Sequence, residues 1–151
     1  MSRSSCSLRT LSLTTMNISD MEFAECLRAL PLLNKLSLTN VFNLTNQFLQ
    51  MLDPCHSSNA SWLLPNLETF ECLGFLQLDL RVVASLLQSR WDIRQTSTTL
   101  DEPFRITQLQ SVKLVDAARA SEPNAPTLAL LRGLVEEGMR ISLVTRARKW
   151  L

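Results

Sequence analysis

Residues 33–38 read LNKLSL, and residues 8–13 read LRTLSL. Both have the form L-x-x-L-x-L. Two further stretches keep that form with other apolar residues: LETFEC at 67–72 and LQSVKL at 109–114. In each copy the last two apolar residues alternate with polar ones, the two-residue period of a strand buried on one face. The first positions of successive copies lie 25, 34 and 42 residues apart. Copies two and three follow Pro31 and Pro65 by two positions. Proline at the start of a strand removes no ladder hydrogen bond.

Between the copies the apolar period becomes helical. Ser19-Asp20-Met21-Glu22 spells a capping box, in which Ser19 takes an N3 amide and Glu22 reaches back. It opens a stripe of Met21, Phe23, Ala24, Cys26, Leu27 and Leu30. Thr45 or Asn46 is placed to cap a second helix carrying Phe48, Leu49, Met51 and Leu52. Asp79 caps a third, with Val82, Val83, Leu86 and Leu87. Pro126-Thr127 opens a fourth, from Leu128 to about Glu137, which Gly138 ends. A short strand over 140–145 follows.

A unit of strand, turn and helix therefore recurs about four times. No unit buries its leucines alone, whereas stacked units share one core. The expected fold is α/β: a solenoid with a short, curved parallel sheet and helices on its convex side. One domain covers 1–151. The polar stretches 53–63, 90–107 and 116–126 are expected as loop insertions on the surface.

Composition supports a packed core and narrows the chemistry. Of 151 residues 30 are leucine, 46% are hydrophobic and 19% charged. Three glycines leave little for a phosphate-cradling loop. One histidine removes most imidazole chemistry. The cysteines, Cys6, Cys26, Cys55 and Cys72, form no C-x-x-C pair, and adjacent Cys55 and His56 are poorly placed to share a metal. Glu136-Glu137 and Asp101-Glu102 read as solvated charge, because consecutive helical residues point about 100° apart. No catalytic residue, metal or cofactor is expected. The net charge of +1 argues against nucleic acid, although residues 81–151 are more basic than residues 1–80. No apolar run reaches the roughly 18 residues of a membrane span, and the N-terminus has no signal-like apolar core. A reducing setting, cytoplasmic or nuclear, is expected. Three sequons begin at Asn17, Asn43 and Asn59, but without a signal they are not expected to be glycosylated.

The stretches LRTLSLTTMNIS, CLRALPLLNKLSLTNV, FLQMLDP, LLPNLETFECLG and LVEEGMRISL together resemble the irregular leucine-rich repeats of fungal F-box-type proteins. The usual asparagine of L-x-x-L-x-L-x-x-N is replaced by Met16, Val41 and Phe75, so tight asparagine-ladder turns are not expected. No F-box helical segment precedes Leu8, and the chain reads as truncated near its first repeat. The resemblance implies a protein-binding module, the part of a ubiquitin-ligase receptor that holds a target. Docking on the Skp-type adaptor belongs to the F-box and is not expected of this chain. The alternative is a truncated fragment or shortened paralogue with no independent binding function, since a bare first repeat leaves Leu8, Leu11 and Leu13 open.

Strand alternation assigns the partner-facing, concave positions. They are Thr10, Ser12 and Thr14; Lys35, Ser37 and Thr39; Thr69, Glu71 and Leu73; and Ser111, Lys113 and Val115. Trp62 and Trp91 are expected as loop aromatics closing over the core. Trp150, after Arg146, Arg148 and Lys149, is placed for an exposed basic tail.

Overall fold

A computed structural model describes residues 7–54, 63–74, 78–96, 107–115, 123–145 and 149–151, side chains of 93–96 excepted. Five strands and four helices alternate: β1 (Thr10–Thr14), α1 (Asp20–Arg28), β2 (Lys35–Thr39), α2 (Asn46–Leu52), β3 (Thr69–Leu73), α3 (Leu80–Thr96), β4 (Ser111–Val115), α4 (Ala125–Glu136) and β5 (Arg140–Val144). The strands form one parallel sheet in the order β1-β2-β3-β4-β5. The fold is α/β, with a helix on every crossover between parallel neighbours.

The three central strands bury their inward-pointing alternate residues. Leu36 and Leu38 are fully buried, as are Phe70 and Cys72, Val112 and Leu114. They join the helical residues Phe23, Leu27, Phe48, Leu49, Val83, Leu87 and Leu131 in one core, so the helices cover one face of the sheet. Each buried leucine is worth about 1.5–3 kcal/mol. The rings of Phe23 and Phe48 lie 5.1 Å apart and join α1 to α2.

The units repeat in their hydrogen bonds as well as in sequence. Before each of the first three strands, one carbonyl takes two consecutive amides from the next unit: Arg9 from Asn34 and Lys35, Asn34 from Glu68 and Thr69, Glu68 from Gln110 and Ser111. After each of the first three strands the chain enters the left-handed region, at Thr15 (φ 53), Asn40 (φ 50) and Gly74 (φ 94). These residues donate to the last carbonyl of the next strand, Thr39, Leu73 and Val115, each at 2.8 Å. Just after the first two of these turns, Asn43 Nδ2 donates to Asn17 Oδ1.

Helix starts follow local chemistry. Ser19 accepts from the Glu22 amide while Glu22 takes the Ser19 N–H, completing the capping box. Thr45 caps α2, and Asp79 accepts the Arg81 amide at the start of α3. Two boundaries differ from expectation. The fourth helix begins at Ala125 with Asn124 as its cap, so Pro126 lies inside the first turn, where its missing N–H costs nothing. The insertion expected from 90 begins as helix instead: α3 continues through Arg90 and Trp91 to Thr96. The ends of the insertion expected on the surface at 53–63, Asp53 and Leu63, are buried; 55–62, 97–106 and 116–122 lie outside the described residues.

The two sheet edges differ. Beyond β5, residues 149–151 turn back, and Trp150 and Leu151 donate to the Leu143 carbonyl while Leu143 donates to Leu151. Trp150 is half-buried against the core, rather than carried on an exposed tail. At β1, Leu8, Leu11 and Leu13 are only half-buried, although their counterparts one unit on are fully buried. Among the described residues, no helix is long and apolar enough to cross a membrane.

Candidate interaction surface

In-register pairing turns the alternation of five strands into three rows across the sheet face opposite the helices. The first row is Thr10, Lys35, Thr69, Ser111 and Arg140. The second is Ser12, Ser37, Glu71, Lys113 and Ser142, and the third is Thr14, Thr39, Leu73, Val115 and Val144. All twelve residues assigned from sequence share this face. Arg140, Ser142 and Val144 of β5 join them, a placement that the alternation in RISLV signals.

The surface is graded. Its β1–β2 side carries small hydroxyl residues, with Thr10, Ser12 and Thr14 exposed and Ser37 closely packed between its neighbours. Charge lies towards the middle and the β5 side. Lys35 Nζ stands 3.4 Å from Glu71 Oε1 across β2 and β3, with both side chains partly in solvent. Such a pair contributes about 0–1 kcal/mol, so it balances charge more than it holds the fold. Lys113 and Arg140 are exposed, and among the described residues no carboxylate lies within ion-pair distance of either. The third row ends in a half-buried aliphatic strip, Leu73, Val115 and Val144.

The helical side offers less. A groove of about 340 Å³ between α2 and α3 is lined by Gln50, Asp53, Asp79, Arg81, Val82 and Ser85. Its rim charges neutralise each other: Arg81 Nη2 is 3.0 Å from Asp79 Oδ2. The hydrogen bonds from Arg81 hold the Asp79 carboxyl below its ordinary value.

Arg90, expected in a loop, is the largest fully buried side chain among the described residues. Its guanidinium donates to the carbonyls of Leu52 (2.9 Å), Leu64 (3.0 Å) and Leu63 (2.7 Å). One cation thus ties the end of α2 to the approach to β3. Desolvation pushes its pKa down to about 10, a cost that nearby Asp53 partly offsets. The spacing Val83, Leu86, Leu87, Arg90 continues the buried stripe of α3, a signal available in the sequence.

The remaining candidates have structural surroundings. The indole N–H of Trp91 donates to Glu137 Oε2 at 2.5 Å, joining α3 to the end of α4. That of Trp150 donates to Thr145 Oγ1 at 3.2 Å. Cys26 is exposed, and burial pushes the Cys72 thiol up to about 12. Trp62, Cys55, His56 and Cys6 lie outside the described residues, as do Asn59 and the carboxylates Asp101 and Glu102. Among the described residues, no three histidine, cysteine or acidic side chains gather as metal ligands would. Comparison with protein families, with curated proteins and with solved structures finds no match to this chain.

Proposed function

We infer that the chain is a leucine-rich-repeat-type solenoid and a protein-binding module rather than an enzyme. Its concave face is the row surface from β1 to β5, and its ligand is another protein. In this reading the module resembles the target-holding repeats of an F-box ubiquitin-ligase receptor, in a cytoplasmic or nuclear setting. The adaptor docking performed by an F-box segment is no part of the proposal.

The observation that carries this reading is the sheet face that no described helix covers. Five parallel strands in sequential order present fifteen positions in register, and short or flexible side chains fill most of them. Stacked repeats use such continuous surfaces for extended protein contacts. The repeated strand-entry bonds and left-handed turns support the solenoid part of the reading, because they recur at the same place in successive units.

Site-specific photo-crosslinking in cells tests it. A photoreactive residue replaces Thr10 or Lys113 on the sheet face, or Gln88 or Arg132 on the exposed helical side. The expected result is a discrete crosslinked protein from the first pair only. Equal capture from both sides, or none, overturns the reading. So does a purified chain that aggregates in size exclusion and melts without a cooperative transition.

A further inference from the structure

The geometry points to an occupant of stated chemistry: an extended protein segment with a carboxylate side chain followed, two residues on, by an aliphatic one. This rests on the sheet face being the binding surface and goes beyond it by naming what the face selects.

Three observations converge on the β4–β5 side of that face. The first is charge. Glu71 is matched by Lys35 at 3.4 Å, whereas Lys113 and Arg140 have no carboxylate partner among the described residues. A neutral or basic segment laid over them would desolvate two cations without compensation, whereas a carboxylate supplies it.

The second is spacing. Ser111 pairs with Arg140, so Lys113 and Arg140 are diagonal neighbours on adjacent strands. With strands about 4.8 Å apart and a rise of about 3.3 Å per residue, their Cα atoms are about 8 Å apart. Two long, flexible cationic side chains at that separation can converge on one carboxylate.

The third is the aliphatic strip. Val115 follows Lys113 by two residues on β4, and it is flanked in register by Leu73 and Val144. That places an apolar patch about 6.6 Å along the strand from Lys113 and about 13 Å from Arg140. An extended segment running with the strands repeats its side chains at the same interval. An acid over Lys113, with the long Arg140 side chain extended towards it, therefore sets the residue two positions later over Leu73, Val115 and Val144. The hydroxyl-rich side, β1 and β2, offers neither feature and has no such preference.

A random-peptide display selection against the purified full-length chain tests this, run in parallel on Lys113→Glu/Arg140→Glu and on Val115→Ser/Val144→Ser. Circular dichroism and melting confirm that each variant is folded. Lys113→Gln/Arg140→Gln, which introduces no new charge, replaces the charge-reversed chain if that one is unfolded. The wild-type chain should enrich peptides with Asp or Glu at one position and Leu, Ile or Val two later. An enriched peptide, labelled with fluorescein, should bind the charge-reversed or charge-removed chain at least ten-fold more weakly by anisotropy. Its affinity should fall with salt. The Ser variants should keep the acidic preference and lose the aliphatic one. Enrichment that depends on the sheet face but lacks the acid–aliphatic pair overturns this inference and leaves the binding reading standing. Enrichment indifferent to every sheet-face variant, or none at all, overturns both. Tighter binding of a single-stranded oligouridylate than of any enriched peptide, lost in the charge variants, overturns the protein-segment assignment in favour of nucleic acid.

Discussion

The carboxylate of Asp20, the first residue of α1, takes both the backbone N–H and the hydroxyl of Thr45, at 2.8 and 2.6 Å. Thr45 is the N-cap of α2, so the start of one helix anchors the start of the next. One unit further on, Asn46, the first residue of α2, accepts the amide of Asp79 at 2.8 Å. Before α1 the Ser19 N–H finds Glu22 in its own unit, whereas for Thr45 and Asp79 the neighbouring unit provides the acceptor.

Asp20→Ala should therefore uncouple α1 from α2. Asp20 is 8% exposed but Thr45 is exposed, so water takes up part of the two lost charge-assisted bonds and the change should cost roughly 1–2 kcal/mol. Asp20→Asn should cost less than half of that, because Asn46 performs the same task with an amide. Urea denaturation of the two variants beside the wild type measures the difference; equal losses would contradict the bridging role.

Gly74→Ala should destabilise the third turn. Gly74 has φ +94, and an added Cβ would stand 2.0 Å from Asn40 Oδ1. The expected loss is about 1–3 kcal/mol, part from the backbone and part from the collision. Adding Asn40→Gly removes the collision but not the backbone strain. A double-mutant cycle in thermal melts should show partial recovery, with a coupling of about 0.5 kcal/mol or more.

Arg90→Ala should be the most damaging single change among these positions. It strips the donors from three carbonyls and leaves buried Asp53 beside the gap. About 3–5 kcal/mol is expected. Arg90→Lys should recover only part, since a single ammonium cannot spread across carbonyls held by a planar fork. Melting temperatures rank the three proteins.

Cys72 makes stability pH-dependent on the alkaline side. Its thiol is held neutral when folded, up to about 12, against an ordinary value of 9.0. Above pH 9 the unfolded chain releases a proton that the folded chain keeps, so ionisation favours unfolding. The contribution is fully present below pH 9 and falls by about 1.4 kcal/mol per pH unit as pH rises towards 12. Comparing urea denaturation of the wild type and Cys72→Val under reductant at pH 7.5 and 10.5 isolates it. The wild type should lose about 2 kcal/mol more than the variant.

Local chemistry made much of the fold legible. Ser19 and Glu22 lie within one turn, so their capping box is written in adjacent residues and appears as expected. The twelve face positions follow from a two-residue period, and once the leucines point inwards those residues have one direction left. Arg90 was misplaced because a guanidinium is ordinarily a solvent group. Nothing near it in sequence announces the carbonyls of Leu52, Leu63 and Leu64. Trp150 was misplaced for a similar reason: the basic residues before it describe a tail, whereas its indole and backbone find partners on β5.

The sequence by itself determined where strands and helices form and which side chains each strand turns to the core, because period and capping act over a few residues. Only the tertiary structure decided what those elements share. Parallel pairing brought Lys35 to Glu71, left Lys113 diagonal to Arg140, and aligned Leu73, Val115 and Val144 into one strip. It also closed the β5 edge with the chain's own last residues and left the leucines of β1 half-covered. These relations join residues tens of positions apart, and they exist only once the core has fixed the strand register.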